Sequence, residues 1–176
     1  MADGLSATGH ALSLKEIAEY HEDAISSLRL YFNDAYNLER FLGYTPTERF
    51  EELKLRIDET SLRSMLITLA SIEASFKLDY LFRCQRKLKD ELSRAFRDLY
   101  KVKQDRVALD EDIFEKWRSH VAESKALISE LRAAFGLRDW LAHGRYWQPK
   151  LGRTFDFDFI YDLAVAVSEE FFEASP

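Results

Sequence analysis

The chain has a single cysteine, Cys84, among its 176 residues. One thiol cannot form an intramolecular disulfide framework or a cysteine-based structural zinc site, so a reduced, cytoplasmic setting is expected. Only six glycines and three prolines are present. That is too few punctuation residues for a turn-rich all-β fold. No apolar run approaches the ~18–20 residues needed to span a bilayer, so no membrane role is expected. The segment Met1–His10 lacks a basic stretch followed by an apolar one, which argues against a secretory leader. A phosphate-cradling Gly-rich loop, a GxSxG elbow and an HExxH metal motif are all missing. The four histidines, at 10, 21, 120 and 143, are scattered, so neither a metal nor any other cofactor is expected.

Positive charge is in deficit overall, with 25 Lys+Arg against 31 Asp+Glu and a net charge of −6. It is unevenly spread, however. Residues 83–106 carry a net +5 and residues 138–153 a net +3, leaving −14 for the remainder. Arg83, Arg86, Lys87, Arg94 and Arg97 are therefore candidate RNA contacts in a basic groove on an acidic body. The same run also fits a merely solvated helix face. Cys84 lies among Arg83, Arg86 and Lys87, neighbours that lower a thiol pKa when they face it.

The apolar spacing is helical. Pro46 and Gly136 bracket 89 residues with neither breaker. Inside that span Leu62, Met65, Leu69, Ile72, Phe76 and Tyr80 recur at three and four, as do Leu88, Leu92, Ala95, Leu99 and Val102. A third set runs Phe114, Trp117, Val121, Ile128, Leu131, Phe135, with Ser124 in its one gap and Asp110 as its opening cap. Ser13 with Glu16 predicts a capped helix running to Leu42 and stopping at Gly43. Thr45-Pro46-Thr47-Glu48 predicts the next start. Residues 103–110 lose the helical phase, and Tyr146–Arg153 reads as a loop. Asp156 or Asp158 is expected to cap a last helix carrying Ile160, Ala164, Val167 and Phe171. The expectation is an all-α bundle of five or six helices in a single domain over residues 13–176, preceded by a flexible N-terminus at 1–12.

One segment carries chemistry: Arg138-Asp139-Trp140-Leu141-Ala142-His143, followed by Gly144, Arg145 and Tyr146. A histidine exchanges protons near neutral pH, and an arginine grips a phosphate with a planar fork of donors. Together they suit cleavage of RNA by its own 2′-OH, which needs no metal. Five residues of helix rotate about 500°, so Arg138 and His143 face about 140° apart. One ligand can meet both only through a bend or a second copy of the chain.

The Arg–polar–x3–His segment, set near the end of an all-helical chain, resembles the HEPN superfamily (higher eukaryotes and prokaryotes nucleotide-binding domain). The resemblance implies a metal-independent endoribonuclease with Arg138 and His143 catalytic in a site formed across a homodimer. It also implies RNA as substrate, and a toxin–antitoxin, antiviral or RNA-processing setting with an antitoxin or regulatory protein as partner. Two residues depart from the family pattern. Asp139 stands where Asn is usual, and position 145 is Arg where paired toxins often have Tyr, with Tyr146 one place later. An acid at 139 repels phosphate unless it pairs with an Arg or orients His143. Glu73, between Ile72 and Phe76, is a candidate partner for Arg138. Arg145 and Tyr146 are candidate phosphate or base contacts. The rival reading is a non-catalytic helical module that binds nucleotide, RNA or protein.

Overall fold

The computed structural model describes residues 12–33 and 39–172. Six α-helices lie among them, and no strand. The expected flexible N-terminus falls almost wholly outside the described residues.

Helix α1, Leu14–Asn33, opens on the Ser13–Glu16 capping box. The Ser13 N–H donates to the Glu16 carboxylate at 2.8 Å, and the Glu16 N–H donates back to Ser13 Oγ at 3.2 Å. The expected continuation to Leu42 is only partly testable, because Ala35 and Leu38 lie outside the described residues. Leu42 itself sits exposed in a turn, with Gly43 at φ +84°. Helix α2, Pro46–Arg86, is 41 residues long, about 60 Å at 1.5 Å per residue. Thr45 and Glu48 form its capping box, with Pro46 at the first helical position. Its buried residues begin only at Ser64, so the first half leans on α1 while the second half crosses the core.

Lys87, left-handed at φ +52°, ends α2 without glycine or proline. Asp90 caps α3, Glu91–Lys103, accepting the Ser93 N–H at 2.9 Å. The phase loss at 103–110 corresponds to an open stretch before a π-helical turn, Leu109–Phe114. The buried Asp112 carboxylate fixes this turn. It accepts the Ala108 N–H at 2.8 Å and the Lys103 ammonium at 2.6 and 2.7 Å. The third apolar set, read as one helix, is two: α4, Glu115–His120, and α5, Ser124–Ala142. Ser124 makes the break. Its buried hydroxyl donates to the carbonyls of Val121 (2.7 Å) and Trp117 (3.1 Å), which also accept the backbone N–H groups of Ser124 and Val121, and so pins the start of α5 to the end of α4. Helix α6, Phe157–Phe172, is capped by Asp156, which accepts the Phe159 N–H at 2.8 Å.

One core joins α1 (through Ile17), α2, α3, the π turn, α4, α5 and α6. Its centre is Phe76, which meets Phe114, Trp117, Phe171 and Phe172 edge-on and is fully buried. Burial of this kind is worth about 3–5 kcal/mol against truncation to alanine. A smaller cluster of Phe32, Phe41 and Tyr44 closes the far end of the α1–α2 hairpin. No described helix is long and apolar enough to cross a membrane. The core thus fixes α5 between α2 and α6, with the Arg138–His143 segment at its C-terminal end.

Candidate functional site

Arg138 lies in the last turns of α5 and points across to α2. Its Nη2 donates to Glu73 Oε2 at 2.5 Å and its Nη1 to Asp139 Oδ1 at 3.0 Å. Glu73, 18% exposed, also accepts the Lys77 ammonium at 2.6 Å. The Glu73–Arg138 pair considered from sequence is therefore present. Arg138 remains 30% exposed and lines a cleft of about 430 Å³ with Glu73, Asp110, Arg132, Phe135 and Asp139. Arg132, not singled out from sequence, is itself held by the carboxylates of Asp110 and Glu115. The departing Asp139 has a place here: its side chain pairs with Arg138, and its carbonyl accepts the His143 N–H at 3.0 Å.

His143 is the C-cap of α5 (φ −95°, ψ 17°) and is exposed. Its ring lies 6.4 Å from that of Trp147. It is not among the residues lining the Arg138 cleft, so one copy of the chain does not gather both groups around a single cavity. After His143 the backbone turns left-handed twice, at Gly144 (φ +83°) and Arg145 (φ +59°). A Cβ on Gly144 would meet nothing within 4 Å, so glycine serves conformation there rather than space. The Arg145 N–H closes the helix end on the Trp140 carbonyl at 3.1 Å.

Arg145, a third exposed, is committed to α2. Its guanidinium donates twice to Glu59 of α2, at 2.7 and 3.1 Å, and lies 5.7 Å from the Trp140 ring centre. That two-point hydrogen bond holds the Glu59 carboxyl below its ordinary range and raises the Arg145 guanidinium above its own. Trp140 donates its indole N–H to the Trp147 carbonyl at 2.8 Å, folding the following loop back on α5. Tyr146 is left 83% exposed, edge-on to Trp147 at 4.7 Å.

The basic segment divides. Arg83 is turned inward. It donates to both oxygens of buried Asp79 (2.9 and 2.8 Å), reaches Ser93 Oγ at 3.3 Å, and covers Trp117 at 5.2 Å. Arg97 Nη1 donates to the Leu88 carbonyl at 2.5 Å, tying down the α2–α3 connection. Arg86, Lys87 and Arg94 are exposed. Cys84 is not activated by its basic neighbours: burial pushes its thiol up to about 11, outweighing Arg97. Among the described residues no group of three or more His, Cys, Asp or Glu is disposed to hold a metal ion.

No family model, curated protein or solved structure matches the chain.

Proposed function

We propose that the chain is a cytoplasmic, metal-independent endoribonuclease of the HEPN type, its site completed by a second copy of the chain. The supporting observation is the arrangement at the end of α5. Arg138 is anchored by Glu73 in a cleft, and His143 stands exposed at the helix terminus, outside the lining of that cleft. Two such ends facing each other supply two guanidinium forks and two imidazoles to one phosphodiester. One imidazole takes the 2′-OH proton as that oxygen attacks phosphorus. The other donates a proton to the departing 5′-oxygen, leaving a 2′,3′-cyclic phosphate and a 5′-OH. Arg138 neutralises the charge that builds on the phosphoryl oxygens. Tyr146 offers a ring face to a neighbouring base, while Arg86, Lys87 and Arg94 extend the RNA path. A cognate antitoxin or regulatory protein in a toxin–antitoxin, antiviral or RNA-processing system accompanies this reading.

The test is purified protein incubated with a mixed RNA pool in EDTA, with mapping of the product ends. Cleavage that spares DNA and 2′-O-methyl RNA is expected. His143→Ala should lower the rate by about 10²–10⁴, and Arg138→Ala by about 10²–10³. Both variants should stay folded. Light scattering on the same sample should give a dimer; a clean monomer that still cleaves would remove the composite site.

A second reading, a non-catalytic helical module, is favoured by one observation. Arg138 already meets two carboxylates, Glu73 and Asp139, so its charge is compensated before any ligand arrives. Absence of cleavage on every RNA, with the dimer intact, would establish that reading instead.

A further inference from the structure

The turn after His143 is unusual in its construction. A non-glycine residue in the left-handed region is strained and persists only where its surroundings hold it. Arg145 occupies that region at φ +59°. Three contacts hold it: the backbone bond to Trp140, the ring of Trp140 beneath its guanidinium, and the two-point ion pair with Glu59. The first two come from α5 itself, the helix that Arg145 ends. Only Glu59 comes from another element, the stretch of α2 before Ser64, where no residue is buried. There Glu59 also accepts from Arg63 at 3.2 Å, one turn along the same helix. An exposed helix pair of that sort contributes little. The bidentate fork to Arg145 fixes direction as well as distance.

Flanking this clasp are the two groups that the proposed chemistry needs presented outward. His143 sits two residues before Arg145, and Tyr146 one residue after. With Arg145 occupied, Tyr146 is the side chain left projecting from the turn. We infer that Glu59 is a positioning residue, whose two-point pair with Arg145 holds the left-handed turn that presents His143 and Tyr146 to the substrate. The kinetic consequence rests on the ribonuclease reading; the mechanical one does not.

The experiment compares wild type, Glu59→Gln, Arg145→Gly and the double variant, with Arg63→Ala as control. Glycine at 145 accepts the left-handed backbone without strain but adds backbone freedom and removes the Trp140 ring contact, so Glu59→Gln is the variant that isolates the clasp. Hydrogen exchange is read by peptide. Glu59→Gln and Arg145→Gly should each speed exchange in 143–147 about tenfold, with α1, α2 and the body of α5 unchanged. The double variant should add nothing to Arg145→Gly, because Glu59 reaches the turn only through the Arg145 guanidinium. Arg63→Ala should leave 143–147 at the wild-type rate. In RNA cleavage, kcat should fall about tenfold with KM nearly constant, since a loosened histidine is misaligned for the chemical step.

Wild-type exchange in 143–147 of Glu59→Gln would overturn the inference. So would additive effects in the double variant, or faster exchange spread along α1 and α2. A wild-type protein that cleaves no RNA would defeat the ribonuclease reading alone, and the exchange pattern would still decide whether the clasp holds the turn.

Discussion

Replacing Glu73 with Gln tests the junction between fold and site most directly. The change keeps the side chain's shape and removes its charge, leaving Arg138 with Asp139 alone and Lys77 with no carboxylate at that point. Fully exposed ion pairs contribute about 0.2–1 kcal/mol. Stranding one partner of a fully buried pair costs about 3–5 kcal/mol. Glu73 is largely buried, but both cations it serves retain substantial solvent contact, so screening pulls the value toward the lower range. The expected loss is about 1–2 kcal/mol. For a domain of this size that lowers Tm by about 2–8 °C. Urea unfolding of Glu73→Gln, Arg138→Ala and the double variant should give a coupling of about 1 kcal/mol. On the ribonuclease reading the same variant should cleave about tenfold more slowly, because a fork held by Asp139 alone wanders from the phosphate. A wild-type Tm with zero coupling would refute the anchoring of Arg138 by Glu73.

The other two predictions concern acid and salt. His21 is buried, bonds Ser64 Oγ at 3.0 Å and stacks on Phe157 at 3.8 Å; burial lowers its pKa, with Glu22 and Asp158 opposing. The unfolded chain then binds a proton that the folded one resists, so this contribution is complete above about pH 6.5 and is lost as pH falls below it. Urea unfolding from pH 8 to pH 5 should show that decline, and His21→Gln should flatten it; equal slopes in the two proteins would contradict the assignment. Reversing Arg86 and Arg94 to Glu should weaken RNA binding and reduce the salt slope by about one per lost phosphate contact. Arg97 is left intact because it ties down the Leu88 carbonyl, and an unchanged slope would return the segment to a solvated face.

Local signals were the legible ones. The capping boxes at Ser13–Glu16 and Thr45–Glu48 and the cap at Asp156 each satisfy backbone groups within three residues, so the pattern and its physical cause lie in one window. The break at Val121–Glu123 was not legible, because the apolar spacing runs through it and only the back-bonding of Ser124 reveals the stop. Lys87 ending α2 was equally silent: nothing local marks a lysine for a left-handed backbone. At the site, Glu73 could be proposed for Arg138 because a carboxylate on an apolar helix face needs a partner. Glu59 could not be proposed for Arg145. Its near neighbour Arg63 already completes an ordinary i,i+4 pair, and the true partner is 86 residues away.

The two carboxylates on Arg138 are not equivalent, and the difference bears on both functional readings. Glu73 reaches it from another helix in a partly buried setting, whereas Asp139 is its exposed sequence neighbour. A guanidinium has five N–H donors, and these two acceptors engage one on each terminal nitrogen. An exposed pair yields for about 0.2–1 kcal/mol, less than a charge-assisted fork to phosphate returns. On the proposed reading, a phosphodiester therefore displaces Asp139 and leaves Glu73 in place, so that one acid screens the empty site while the other keeps the fork aimed. On the module reading both acceptors stay on Arg138, so the two readings part on whether a phosphate probe displaces Asp139.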